Sequence, residues 1–354
     1  MEEVETFTSR IGLNYVISNF VSTFYTVSIL LIWISLTYLI LKKVYAYFVP
    51  SNWNPKGKHV YITGGSQGLG KSLAIQLAKL GADITIVARK IEVLRLASDE
   101  IKAARISEKQ KVNYVVGDVS SNESAINALK EATRLVGRCP EYVFTIAGSS
   151  IPGYLLNLDV KQYETQMKLN YLGTVYTIKE ASRLMLEANV KGKLITCSSL
   201  AALVGFIGYS AYSPSKHAVR GFSEILRQEM LLYDIDVHCL FPGSILTEGF
   251  NEENKIKPKI TLELEGTDGM TPEAVARESI KGLSKGETFI VCEPLGEIFL
   301  ACGLGFLPCN NLFTHAICIG LSWIVCPALR LYSDFKVKQE RNQNLKQKDK
   351  LKKN

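Results

Sequence analysis

Residues 59–80 read H-V-Y-I-T-G-G-S-Q-G-L-G-K-S-L-A-I-Q-L-A-K-L. The first five are a short apolar run expected to be a buried strand, and T-G-G-S-Q-G-L-G-K at 63–71 follows as a glycine-rich turn. An amphipathic stretch then reaches Leu80 at helical spacing. Strand, glycine turn and helix in that order are the context of a dinucleotide-phosphate loop. Gly64, Gly68 and Gly70 let the backbone approach a pyrophosphate, whose charge the N-terminus of the following helix stabilises. Ser66, Gln67 and Leu69 belong to the same candidate loop.

Further apolar runs extend the pattern of alternating strand and helix. Residues 84–88 are expected as a second strand, ending in Ala88-Arg89-Lys90. An acidic residue there would bind a ribose 2′-hydroxyl, whereas a cation accommodates a 2′-phosphate. With Arg89 and Lys90 and no carboxylate, the reading is NADPH, gripped bidentately by Arg89. Residues 114–119 are expected as the third strand, with Asp118 and Val119 at its end, and 142–146 as the fourth, leading into Ala147 and Gly148. The fifth is 193–197, the sixth 237–241 and the last 289–292.

The stretch 195–221, I-T-C-S-S-L-A-A-L-V-G-F-I-G-Y-S-A-Y-S-P-S-K-H-A-V-R-G, carries the chemistry. Tyr212 and Lys216 are four apart, which on a helix puts both side chains on one face. An ammonium beside a phenol favours the phenolate, pulling the tyrosine down from about 10 toward neutral working range. Ser199, at the end of the fifth strand, is placed to hydrogen-bond a carbonyl oxygen while the tyrosine protonates it. A register shift of one would make Ser198 the working hydroxyl.

Taken together, T-G-x-x-x-G-x-G and Ser…Tyr-x-x-x-Lys resemble the signature of the short-chain dehydrogenase/reductase family, over residues 58 to about 293. The resemblance implies a Rossmann-type, doubly wound parallel α/β sheet. It implies that Asp118 contacts the adenine and that Asn170, in N-Y-L-G within the helical stretch 161–187, holds a water in a proton relay with Lys216. It also implies that Pro242-Gly243-Ser244-Ile245-Leu246-Thr247 lies over the nicotinamide, with the Thr247 hydroxyl on its carboxamide or the phosphates. Ile146-Ala147-Gly148 departs from the family's usual Asn-Ala-Gly. The segment 248–266 is polar, without clear periodicity, as expected of a flap over the substrate. Within the family these motifs look most like the fungal 3-ketodihydrosphingosine reductases, implying a long-chain sphingoid ketone substrate reduced by NADPH. Two other readings are a membrane-bound reductase of 3-ketoacyl-CoA or a sterol ketone, and a non-catalytic nucleotide-binding scaffold.

The whole chain of 354 residues is 47% hydrophobic and 21% charged, with a mean hydropathy of +0.09, high for an enzyme that never meets lipid. No charge falls between Arg10 and Lys42, and 27–41 is almost wholly apolar. This reads as an N-terminal transmembrane helix. Lys42 and Lys43 after it put the rest on the cytosolic side. A second charge-free stretch between Glu297 and Arg330 reads as a re-entrant or hairpin membrane segment. The expected organisation is an anchor and linker at 1–57, the reductase domain at 58–294, a membrane-associated segment at 295–332 and a basic tail at 333–354. The closing K-L-K-K-N resembles a dilysine retrieval signal of the endoplasmic reticulum membrane. Of the net charge of +7, six units lie in residues 336–354, and no basic patch interleaves with aromatics, so nucleic acid is not the expected partner. Membrane lipid is, and a homo-oligomer is compatible with the sequence. Eight cysteines lack C-x-x-C or zinc-finger spacing and read as reduced, buried apolar residues, with no metal site expected. His217 and His238 are expected to pack or to face solvent.

Overall fold

The computed structural model describes residues 53–203, 205, 207–293, 296 and 300, together with 22–30, 33, 34, 37, 40 and 41 and single positions beyond 327. It divides into two compact units, 1–52 and 53–354. In the first, residues 22–30 are helical. No helix among the described residues is long and apolar enough to cross a membrane. The expected membrane segments and the basic tail lie largely outside the described residues.

The second unit carries a seven-stranded parallel sheet: β1 (His59–Thr63), β2 (Asp83–Ala88), β3 (Val112–Val116), β4 (Tyr142–Thr145), β5 (Lys193–Cys197), β6 (Asp236–Phe241) and β7 (Phe289–Val291). The spatial order is β3-β2-β1-β4-β5-β6-β7. Chain direction across the sheet reverses at β1, where β2 and β4 flank it in parallel register. Such a switch point opens a crevice at the carboxyl ends of the strands, where open α/β sheets hold their ligands.

Strand residues alternate between two buried layers, which is why the strands read as continuous apolar runs. Val60, Ile62, Ile84 and Ile86 pack with α1 (Gly68–Lys79), α2 (Ile91–Ala103) and, through Val275 and Leu283, the helix Pro272–Ser284. Tyr61, Val87 and Val143 face the other layer, built from α3 (Asn122–Val136) and two later helices that contribute Ile178, Met185, Leu226 and Met230. Cys139, Cys197, Cys239 and Cys292 are buried and unbridged, as expected of small apolar residues.

Three expectations need correction. The third strand ends at Val116, so Asp118 and Val119 lie in the loop beyond it, where Asp118 accepts from the Ser120 N–H and hydroxyl. The helical stretch is α4 (Val160–Gln166), capped by Asp159, followed by a π-helical turn, Met167–Leu172, and α5 (Gly173–Glu187). The flap is not irregular. Thr247 caps α7 (Glu248–Ile256), and α8 (Lys259–Glu265) follows after Lys257-Pro258. Proline cannot continue the first helix, and its fixed φ starts the second, so two short helices masked each other's periodicity.

Candidate active site

At the carboxyl end of β1 the chain turns through Gly64 at φ +67°, a left-handed conformation that favours glycine. A β-carbon at Gly64 would also lie 2.8 Å from the Ala147 Cα, so strand β4's exit loop closes directly on the turn. Gln67 precedes α1 without a side-chain cap, and the first turn of the helix holds no acidic residue. The first amide groups of α1 are therefore available to an anion. Thr247 stands over this turn, its methyl 3.1 Å from where a Gly68 β-carbon would sit. Its hydroxyl accepts from the Phe250 N–H as the cap of α7, so the phosphate loop and the flap meet at one threonine. Ser66 lies in the same turn, whereas Leu69 is the buried second residue of α1.

Arg89 and Lys90 are exposed just past β2. Arg89 makes no ion pair among the described residues, and its charge, with that of Lys168, reaches Asp118. Burial opposes ionisation of Asp118, but the Ser120 hydrogen bonds and these two cations hold its carboxyl below the usual range. Where the family places asparagine, Ile146 packs onto the apolar core, and the Ala147 N–H donates to Thr63 Oγ at 3.2 Å. The departure exchanges a polar loop anchor for a hydrophobic one.

α6 (Tyr212–Met230) begins at the tyrosine itself, with Pro214 in its first turn. Lys216, one turn on and buried, holds its Nζ 5.8 Å from the Tyr212 ring centroid and donates to the Cys197 carbonyl at 2.9 Å. Ser198 and Ser199 have separate tasks. The Ser198 hydroxyl donates to the Lys216 carbonyl at 2.8 Å, tying β5 to α6. The Ser199 side chain accepts from the Ala201 N–H at 3.1 Å and lies close enough to the Tyr212 phenol to favour its ionised form. Its weaker 3.4 Å contact to the Pro242 carbonyl brings the P-G-S-I-L-T turn to the same point.

Asn170 sits in the π-helical turn, almost fully buried. Its amide donates to the Ser149 carbonyl at 3.0 Å and to Ser215 Oγ at 2.9 Å, and Ser215 in turn donates to the Tyr212 carbonyl at 2.7 Å. A β-carbon at Gly148 would lie 3.0 Å from Asn170 Oδ1 and 3.4 Å from Lys216 Nζ. Asn170, Gly148 and Lys216 are thus packed together, and π turns recur at functional sites because they redirect backbone groups.

The expected drop in the Tyr212 pKa is not what this environment produces. Burial pushes the phenol well above its ordinary value, the nearby Ser199 hydroxyl opposes this, and the carboxylates of Glu253 and Glu265 add to the rise. Desolvation outweighs a cation whose charge is shared with a backbone carbonyl. His217 is exposed and bonded to the Ser213 carbonyl, and His238 is buried against the Glu287 carbonyl. One faces solvent and the other packs in the core, as read from the sequence.

Tyr209, Glu253, Lys257 and Glu265 also converge here, and the sequence reading passed over them. The signal was available for one pair, since Glu253 and Lys257 stand at the i,i+4 spacing of a helical ion pair. Glu265 and Tyr209 come from separate segments, and only the tertiary fold joins them.

The residues fit a nicotinamide dinucleotide: an uncapped helix N-terminus, a glycine turn with no room for side chains, and, past β2, a guanidinium without an ion pair among the described residues. Residues 58–257 match the model of the short chain dehydrogenase family. The PIGF/3-ketodihydrosphingosine reductase fusion protein of Schizosaccharomyces pombe is 40% identical over 68% of this chain, which spans about half (49%) of that fusion's length. The 3-ketodihydrosphingosine reductase TSC10 of Cryptococcus neoformans is 36% identical, over 83% of this chain and 88% of its own. The 3-dehydrosphinganine reductase of Danio rerio is 35% identical, over 77% and 82%. Among solved structures, a short chain dehydrogenase/reductase from Burkholderia phymatum in complex with NAD superposes with a TM-score of 0.64. It is 20% identical and is aligned over 73% of this chain and 99% of its own.

Proposed function

Because the chain belongs to the short-chain dehydrogenase/reductase family, we propose that its site reduces the 3-keto group of 3-ketodihydrosphingosine to the alcohol, with NADPH as the reductant. The reading is supported by the family match over 58–257 and by relatives of that activity covering most of both chains. The observation that carries it is Ser199, just past the end of β5, and Tyr212, at the start of α6, lying near one another beside Lys216. NADPH over NADH is supported by Arg89, exposed and without an ion-pair partner among the described residues where an NAD enzyme would carry an acid.

When bound, NADPH supplies the hydride. The glycine turn and the N-terminus of α1 would hold its pyrophosphate, Arg89 and Lys90 its 2′-phosphate, and Asp118 with Val119 its adenine side. Gly148, Pro242, Gly243, Ile245 and Thr247 would border the nicotinamide half. Charge developing on the ketone oxygen is met by the Ser199 hydroxyl and neutralised by the Tyr212 proton. A raised phenol pKa suits this direction of reaction, since the tyrosine stays protonated at neutral pH until the oxygen becomes basic. Lys216 would hold the nicotinamide ribose, and Asn170 would hold the water through which the tyrosine regains its proton. Ser198 acts through α6, fixing the position of Lys216.

The test is purified protein with 3-ketodihydrosphingosine, NADPH and, separately, NADH, with the product identified by mass. Sphinganine formed with NADPH in preference to NADH is the expected result. Reduction of 3-ketoacyl-CoA or a sterol ketone in its place would favour the rival substrate, and no oxidation of NADPH with any ketone would leave only a binding role.

A further inference from the structure

A buried ion cluster lies against Tyr212 on the flap side. Lys257, between α7 and α8, has a side chain wholly shielded from solvent. Its Nζ reaches Glu265 at 2.9 Å, Glu253 at 3.3 Å and Asn254 Oδ1 at 2.7 Å, and lies 4.2 Å over the Phe250 ring. The Tyr209 hydroxyl is 2.6 Å from Glu253 and 2.5 Å from Glu265, so both flap helices are fastened to the segment leading into α6. Ser244, in the turn after β6, donates to the second oxygen of Glu265 at 2.7 Å. The Tyr209 ring packs on the Tyr212 ring with centroids 5.7 Å apart.

A buried ion pair contributes little net stability, because desolvation cancels most of the attraction. This one shares one ammonium between two carboxylates, which leaves a net negative charge next to the phenol. We propose that Tyr209, Glu253, Lys257 and Glu265 are positioning residues for Tyr212: they clasp the flap to its ring, and their excess negative charge keeps it protonated between turnovers. The inference rests on Tyr212 being the proton donor. Among the described residues, the other titratable groups around Tyr212 are Lys216 on its own helix and Cys197 at the end of β5. Both are left untouched by changes to the clasp.

Charge and structure separate by sign. Glu265→Gln keeps the size and a hydrogen-bonding amide while removing a negative charge, so the phenol should ionise more readily. Lys257→Met removes the positive charge and should do the reverse. The measurement is the pH profile of kcat/KM for the ketone at saturating NADPH, from neutral to strongly alkaline pH. Any ionisation of the substrate itself is common to all variants. The basic limb should move down by about half a pH unit or more in Glu265→Gln, the size expected of one charge at this range. It should move up in Lys257→Met and return in Lys257→Arg. If Lys257→Met does not fold, Glu265→Gln and Lys257→Arg carry the test. Limbs unmoved in Glu265→Gln, or moved the same way by both charge changes, would overturn the clasp. Tyr212→Phe in the same assay separates the premise: full activity there would remove the proton donor, and this inference with it.

Discussion

A phenol partly shut off from water is harder to ionise than one in bulk solvent, and at half-buried Tyr212 this effect outweighs the neighbouring groups. Lys216 is close enough to matter, yet its ammonium is already engaged by the Cys197 carbonyl. Its larger part in the proposed reaction is to hold the cofactor's ribose and support proton return. Arg89 is the opposite kind of residue, an exposed cation whose charge acts on Asp118. Arg89→Ala should therefore raise the KM for NADPH by roughly tenfold or more, the scale of one lost charge-assisted contact. KM for NADH should stay nearly constant. Steady-state kinetics with both cofactors decide it, and an equal loss with both would show that Arg89 supports the loop and not the phosphate.

At the scale of elements, β1 illustrates how a strand can carry a polar residue at no structural loss. His59 is fully buried, with Nε2 3.0 Å from Thr85 Oγ on β2 and Nδ1 3.0 Å from the Arg138 carbonyl. Burial lowers its pKa from 6.5 to about 4, outweighing the backbone hydrogen bond that favours the proton. The unfolded chain binds that proton more readily, so the contribution to stability is complete above about pH 6.5 and is lost as pH falls toward 4. The loss amounts to about 3 kcal/mol. Urea unfolding across that window should show the slope, and His59→Gln should flatten it; an unchanged slope would mean another group titrates there. The strands and the glycine turn were legible because most residues of the central strands are buried on one of two faces, making apolar runs that no surface helix would carry. Asn170's π turn was not, since its six residues read as ordinary helix and only the packing against Ser149 and Ser215 marks it. The two flap helices were likewise hidden, each being shorter than the window in which a helical period can be seen.

Across the whole molecule, the candidate site is assembled from distant stretches: the turn after β1, the loop after β4, the π turn, the end of β5, the start of α6 and the flap. Sequence order revealed most of these because the family's motifs fall in register with the strands. The clasp escaped it because Tyr209 and Glu265 are 56 residues apart. The central claim is that Tyr212 donates the proton to a long-chain ketone held beside the reduced cofactor. It is tested most directly by single-turnover reduction of 3-ketodihydrosphingosine by the NADPH-loaded protein, comparing the unaltered chain with Tyr212→Phe, whose NADPH affinity is measured in parallel by cofactor fluorescence. The account predicts unchanged cofactor affinity and a rate of ketone reduction lower by roughly 10²-fold or more, the scale of a lost general acid. A near-normal rate in Tyr212→Phe with the cofactor bound would contradict it.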